Sequence, residues 1–566
     1  MDDKMNKLLI PPKKIKIKKG IFNLTDSAIL KFYYDQAISN PEGYKIEILT
    51  DGIKICSATE AGSFYAIQTI KELSRVYNNK LPCCEINDEP DFARRGVYLD
   101  CSRGKVPKIS TIKQLAERLA QWKINELQLY IENVFTFKKH PEIGRGYSPF
   151  TPEEILDLQS HCKKYHIRLV GSLASFGHME KILAIPKYRH LAELPGYRGF
   201  PGGMTLCPAD PKSIKFVDEL YSEFVPLFEA EDFNACCDET FELGEGRSAN
   251  IAVRIGKGRL YLDFLLKIYQ LCQKYGKRMN VWADIVLKYP ELLNKLPKDI
   301  VMLNWWYEAE GENIVRTKDI AESGLPFMVC PGTSSWQTHG TRLANSIANA
   351  ANFARQGRKY GAEGLLNTDW GDAGHRNMLG VSMHGFAHGA AQSWNGRAVD
   401  NEKFTENFCL HYFGQNDNKL AKAIKQLGSN YLTCGHIAMN RCMLYHALVE
   451  PLKYADDGYM FSFSEKGLRK IAESNLNFRG FVNNSMDAFE KIAIEELELA
   501  AKMDKLAAAR VLAIRQKNYQ ALKDLKKPMS EMSDEFKRLW LTRNKLSRLN
   551  DNLKLMKNAA AENCTN

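Results

Sequence analysis

The sequence predicts an α/β protein built around a closed (β/α)8 TIM barrel, with a small α/β domain before it (1–90) and a helical domain after it (396–566). Three observations carry that expectation. Between Gly96 and Trp370, short apolar runs alternate with helical patterns about eight times, over a length near the ~250 residues such a barrel needs. The runs are near-continuously apolar, as in a parallel sheet covered on both faces. Strand signals then stop near Met378, and the remainder of the chain is helical in pattern. A doubly wound open sheet is the alternative, and the unbroken alternation over 91–395 favours closure.

The elements come in order. In the first 90 residues, "AILKFYYD", "YKIEIL" and "GIKICSA" read as strands and Ala61 to Val76 as a helix, with Phe64, Ile67, Ile70, Leu73 and Val76 near helical spacing. "GVYLDCS" opens the barrel, and Ser110 is the expected cap of "TIKQLAERLAQWK". "ELQLYIEN" is the second barrel strand. Thr151, Pro152 and Glu154 form a capping-box sequence before the next helix. "IRLVGSL" is the third strand, Asp210–Pro211 opens a helix, and "FNACCDE" is the fourth strand. "RMNVWAD", "DIVMLNWWY", "PFMVCPG" and "GAEGLLNTDW" complete the eight. The intervening helices are expected around Leu260–Tyr275, Lys288–Asn294, Asn313–Glu322 and Leu343–Tyr360. The stretch from Ile492 to Lys527 lacks Gly and Pro and is rich in strong helix formers. The last residues, "AAENCTN", are expected to fray.

Composition excludes several classes. The formal charge of +11, from 78 basic and 67 acidic residues, is mild over 566 residues and gathers at the two ends, where it reads as solvated surface. No nucleic-acid partner is expected. No window approaches the ~20 apolar residues of a membrane span. The 14 cysteines are scattered, with no Cys-x-x-Cys and no zinc spacing. Buried free thiols point to a reducing, cytoplasmic setting, and an exported form whose leader has been removed stays open. The sequence leaves a homo-oligomer open as well.

Catalytic groups of a barrel sit at the C-terminal ends of its strands. Here those ends carry Asp100 and Arg103, Glu132 and Asn133, His178, Asp238–Glu239, Trp282 and Asp284, Trp305, Trp306 and Tyr307, Trp336, then Trp370 and Asp372. Alone, each has an ordinary reading as a packing indole, a structural histidine or a solvated carboxylate. Together, aromatic walls, several carboxylates and an arginine in one concavity suit a sugar, whose apolar faces stack on rings while its hydroxyls take polar partners. There is no HExxH, "GEGRSA" is not followed directly by a helix, and "PGTSSW" lacks nucleophile-elbow spacing.

In this order, "GSFYAIQTIKEL", "RRGVYLDCSRG", "SFGHME", "CCDE" and "WGD" resemble glycoside hydrolase family 20, the β-N-acetylhexosaminidases, over most of the first ~380 residues. "CCDETFELG" and "YIEN" lean toward a divergent branch of that family. The helical C-terminal domain has no counterpart in the resemblance. The resemblance implies exo-acting hydrolysis of terminal β-linked GlcNAc or GalNAc by a retaining mechanism, in which the substrate's own acetamido oxygen forms an oxazolinium. It implies Glu239 as general acid and base, with a raised pKa, and Asp238 as the ionised group that orients the acetamido N–H. Arg103 and Asp372 would bind ring hydroxyls, and Trp370 would form the floor. Trp282, Trp305 and Trp336 would wall the acetamido pocket, and Tyr307 would donate to the acetamido oxygen. His178 would support the acid, and Glu132 completes the binding set. No metal or organic cofactor is called for. Two rivals remain: a non-acetamido glycosidase pairing Glu239 with Glu132 or Asp284, and a catalytically dead sugar-binding protein.

Overall fold

The computed structural model describes residues 4–25, 29–452 and 458–562. The N-terminal unit is a five-stranded sheet in the order β1-β5-β3-β4-β2, formed by β1 (Lys14–Asn23), β2 (Leu30–Tyr34), β3 (Tyr44–Ile48), β4 (Ile53–Ser57) and β5 (Lys80–Asp88). The helix Glu60–Tyr77 packs on it. Two of these strands, β1 and β5, were not expected. The lysines that read as solvated charge in "KIKIKK" lie on an edge strand, where charged side chains discourage pairing with other chains. Ala28, the first residue of the expected "AILKFYYD" strand, lies outside the described residues.

The barrel is closed and entirely parallel. Its strands are β6 (Arg94–Asp100), β7 (Glu126–Ile131), β8 (Arg168–Leu173), β9 (Asp232–Asn234), β10 (Arg278–Trp282), β11 (Val301–Trp305), β12 (Phe327–Cys330) and β13 (Gly364–Asp369). Closure is made by β13 against β6, six residues in register from Gly364↔Arg94 to Asp369↔Leu99. Every residue of β6 and β7 is buried, the apolar ones in the middle of each strand and the charged Arg94 and Glu126 at its start. At the bottom, Arg94 donates to Glu126 at 2.9 Å and to Asp232 at 3.0 Å, a buried network of the kind that serves stability at this face.

Local signals held where they were strong. Thr151 accepts from the Glu154 amide and Glu154 returns the bond, and the Asp210 side chain caps the helix Pro211–Phe224. Helix Leu343–Tyr360 has the expected limits. Four expectations are corrected. Ser110 caps nothing: helix Ile109–Gln121 begins two residues earlier than expected, with Lys108 at its N-cap, where Arg543 of the C-terminal region supplies a carbonyl to the Lys108 amide (2.9 Å) and the Thr111 hydroxyl (2.6 Å). The fourth strand keeps only Asp232–Asn234, since the chain leaves the ladder at Cys236 (φ 60°). The Lys288–Asn294 helix is instead Asp284–Lys288 followed by a 3-10 turn, Pro290–Lys295. The Asn313–Glu322 helix is broken into Glu312–Val315 and Thr317–Glu322.

Beyond β13, the helices Leu379–Asn395, Ala488–Arg515, Lys526–Arg543 and Leu549–Glu562 dominate, with one two-stranded turn at 437–442. They pack on the chain's own barrel: Ala488–Arg515 lies against Leu379–Asn395. Of the expected fraying tail, 563–566 lie outside the described residues. Among the described residues no helix is long and apolar enough to cross a membrane.

Candidate active site

The barrel interior ends upward in an aromatic cluster separate from the main core. Trp282, Trp336 and Trp370 share it with Tyr98, Tyr130 and Tyr307, and Trp305 packs on its side. Tyr98 and Tyr130 were not singled out, although both occupy inward positions on β6 and β7. Trp370 meets Tyr98 and Tyr130 edge-on, with centroids 5.3 and 5.2 Å apart. Trp305 stacks on Tyr307 at 5.1 Å, and Tyr307 meets Trp336 edge-on at 5.0 Å. The Tyr307 hydroxyl accepts from Trp370 Nε1 at 2.8 Å, which leaves its own proton for another acceptor. Trp306, one residue past β11, belongs to the main core instead and donates to the Glu310 carbonyl.

The acids lie beside this cage. Cys236, Cys237 and Glu239 all take left-handed backbone, at φ 60°, 67° and 50°, so the chain turns sharply as it leaves β9. Three contacts hold that turn. The Asn234 side chain accepts from the Cys236 amide at 2.9 Å, Tyr261 donates to the Cys237 carbonyl at 2.9 Å, and Asp284 accepts from the Glu239 amide at 3.2 Å. The His178 ring bridges the pair, with Nε2 3.2 Å from Asp238 and 3.4 Å from Glu239.

Electrostatics divides these groups. Burial alone would keep His178 neutral, but the Asp238 charge and the bonds to both carboxylates outweigh it and raise its pKa well above the ordinary imidazole value. Burial pushes Glu239 up, but the His178 hydrogen bond and charge bring it below the usual carboxylate range. The expected raised pKa of Glu239 is therefore corrected: in the free protein, the nearby proton rests on His178. The raised carboxyl is Asp284, pushed up to about 7 by burial and then by the Asp238 charge. Asp284 was named only as a rival's partner, and neither composition nor spacing distinguishes it.

Across the mouth, Arg103 is held by Asp100 at 3.0 Å and reaches Asp372 at 3.2 Å. Its guanidinium lies 4.9 Å from the ring centroids of both Tyr130 and Trp370. Glu132 lies 3.8 Å from Arg103 and is bonded to Lys181. Burial opposes its charge, yet Lys181 and Arg103 prevail and bring its pKa to about 2. Lys181 was missed in the sequence, although it follows His178 by three residues. Burial raises Asp372, against the pull of Arg103. Glu132, His178 and Glu180 bring possible ligand atoms within 4.8 Å of one another. Lys181 and Arg103 already match the charge that a cation would neutralise there.

All eleven expected site residues thus gather at one end of the barrel. Several buried polar atoms among them have no hydrogen-bond partner in the protein: Asp238 Oδ1 and the indole nitrogens of Trp282, Trp305 and Trp336. Buried polar atoms are normally satisfied, so this set is suited to a polar ligand.

Comparison with known proteins agrees with this geometry. Residues 92–406 match the catalytic domain of glycosyl hydrolase family 20, and residues 8–89 match domain 2 of the same family. The chain is 23% identical to a lacto-N-biosidase from Bifidobacterium bifidum, over 55% of this chain and 28% of that protein. It is 25% identical to a beta-hexosaminidase from Porphyromonas gingivalis, over 43% of this chain and 36% of that one. The matched region is thus about a third of either relative's length. The fold is similar to that of a chitobiase from Flavobacterium johnsoniae, with TM-score 0.60 and 16% identity, covering 95% of this chain and 100% of that one. With its catalytic-domain match extending over more than half of its residues, the chain belongs to glycosyl hydrolase family 20.

Proposed function

We propose that the chain is an exo-acting β-N-acetylhexosaminidase that removes terminal β-linked N-acetylglucosamine or N-acetylgalactosamine, with the substrate's acetamido oxygen as nucleophile. The observation that carries this reading is the His178-bridged Asp238–Glu239 pair beside an aromatic cage, with Asp238 Oδ1 buried and free of any protein partner. Asp238 accepts the acetamido N–H and offsets the positive charge of the oxazolinium. The acetamido oxygen bonds to C1 as the glycosidic bond breaks, and Glu239 gives a proton to the departing oxygen. That proton comes from His178, 3.4 Å away, once the substrate takes Asp238. In the second step Glu239 accepts a proton from water, which adds to C1 and reopens the ring. Tyr307 donates to the acetamido oxygen, and Trp282, Trp305 and Trp336 enclose the methyl group. Arg103 and Asp372 take ring hydroxyls above Trp370, and Glu132 fixes Arg103 and Lys181.

The two-carboxylate rival is less well supported. Glu132 is neutralised by Lys181, and Asp284 is buried, raised to about 7 and bonded to the Glu239 amide. Neither is an available ionised nucleophile. The test is release of nitrophenol from aryl β-GlcNAc and β-GalNAc, with an acetamido-derived thiazoline as competitor. Hydrolysis inhibited by the thiazoline is expected. Hydrolysis indifferent to it returns the two-carboxylate scheme, and folded protein inert toward both sugars sinks the reading.

A further inference from the structure

Asp372 sits at the head of an unusual turn. After β13 the chain takes left-handed backbone three times running, at Ala373 (φ 57°), Gly374 (φ 93°) and His375 (φ 53°). Two of these residues carry a Cβ, which disfavours that region, so contacts from outside the turn must hold it. Arg103 meets the Asp372 carboxylate at 3.2 Å, but that contact grips the side chain and not the backbone beneath it.

The backbone is held by Tyr445, from the short helix Met443–Ala447 of the C-terminal region. Its hydroxyl accepts from the Arg376 amide at 2.9 Å and donates to the Ala373 carbonyl at 3.1 Å, with the Asp372 carbonyl 3.5 Å away. One oxygen thus spans both ends of the left-handed run. Arg376 returns the contact. Its guanidinium lies 3.9 Å from the Tyr445 ring centroid and donates to the Tyr445 and Ala373 carbonyls, each at 3.1 Å. Both side chains are buried. Helix Leu549–Glu562 lies across the opening beside the same turn: Asn552 donates to the Gly374 carbonyl at 2.7 Å, and the Ser547 amide, just before the helix, donates to Ser148 at 3.1 Å.

The segment that carries Tyr445 also reaches the opposite rim. The Cys442 amide donates to the Gln337 carbonyl at 2.9 Å, and His446 Nε2 lies 3.2 Å from Gln337 Oε1. The Asn440 amide donates to Glu308 at 2.6 Å. Gln337 follows Trp336, and Glu308 follows Tyr307. Residues 440–446 therefore brace two walls of the site from a region outside the barrel.

We propose that Tyr445 is a positioning residue for sugar binding: its hydroxyl sets where Asp372 meets a ring hydroxyl, so the C-terminal region takes part in recognition without touching the sugar. This rests on the assignment of Asp372 made above. A phenol suits the task because its one oxygen both accepts and donates. Without it the Arg376 amide loses its acceptor, and the turn relaxes and carries Asp372 with it.

The test is a double-mutant cycle on the faster of 4-nitrophenyl β-GlcNAc and β-GalNAc. Tyr445→Phe keeps the ring beside Arg376 and removes only the hydroxyl. It should lower kcat/KM about tenfold in the parent, and less than about twofold in Asp372→Ala, where no carboxylate is left to place. Among the 3-, 4- and 6-deoxy forms of that substrate, the one that loses least with Asp372→Ala should also lose least with Tyr445→Phe. A merely structural role would lower every rate alike. Rates are normalised to the folded fraction from denaturant unfolding, so lost stability cannot imitate the difference. Equal losses in both backgrounds, no loss in the parent, or a different ranking of the deoxy sugars overturns the proposal. If the parent releases no nitrophenol, the hydrolase reading falls, and the same cycle is read on the Kd of free GlcNAc and GalNAc by calorimetry. A weakening near tenfold that vanishes in Asp372→Ala upholds the role of Tyr445. Equal weakening, none, or no binding of either sugar overturns it.

Discussion

His178 lies between two carboxylates, on left-handed backbone at φ 56°, and its pKa is raised well above the ordinary imidazole value. Under the proposed mechanism it holds the proton that Glu239 must deliver. A raised pKa keeps that proton fully bound below the ordinary imidazole range and releases it only as pH rises through the elevated value. Activity should therefore persist through neutral pH and fall on the alkaline side. In His178→Ala, the proton rests on a carboxyl alone, so the alkaline limb of kcat/KM should move to lower pH by about one unit or more. An unmoved limb would remove His178 from the proton path. Glu239→Gln should lower kcat by roughly 10²–10⁴-fold on alkyl glycosides, whose leaving oxygen needs protonation. The loss should be much smaller on dinitrophenyl glycosides, and equal losses on both would contradict an acid role.

At the scale of the element, the sharp turn after β9 aims both acids. Three successive side-chain and amide contacts hold it, and Gly177, on the loop after β8, lies against it. A Cβ at Gly177 would lie 2.2 Å from the Asp238 carbonyl oxygen, so even alanine must displace one loop from the other. Gly177→Ala should cost about 1–3 kcal/mol of stability through overpacking. Its effect on kcat should be larger, on the order of 10²-fold, because a shift near 1 Å spoils alignment. Denaturant unfolding and kinetics on one preparation separate the two, and kcat within threefold of the parent would mean the acids tolerate the shift.

For the whole molecule, a buried ion pair between two C-terminal helices sits where they meet the barrel. Arg543 donates to Glu496 at 2.9 Å and to the Phe489 carbonyl at 2.9 Å. Glu496 accepts from the Gly380 amide at 2.7 Å, at the start of the helix that comes after β13. With Lys108 and Thr111 bonded to the Arg543 carbonyl, helices 109–121, 379–395, 488–515 and 526–543 meet at this point. Both side chains are almost fully buried. Arg543→Met leaves Glu496 without its partner and should cost about 3–5 kcal/mol. Fluorescence of the barrel indoles and circular dichroism of the helices should shift together in denaturant. A barrel transition that stays in place while the helices melt early would show that the two regions stand independently.

The sequence by itself determined the alternation of strands and helices, because burial on both faces forces near-continuous apolar runs. It also determined which residues crowd the upper rim, because strand ends in such a barrel share one face. It failed where a rule of pattern met a neighbour from elsewhere. The lysine-rich β1 read correctly as surface charge but not as a strand, Ser110 looked like a cap, and Trp306 looked like one more indole of the cage. Tertiary structure alone decided that His178, not Glu239, holds the proton, since that balance depends on distances near 3 Å between residues sixty positions apart. It alone set helix 549–562 across the opening, through bonds spanning hundreds of residues that no local periodicity encodes.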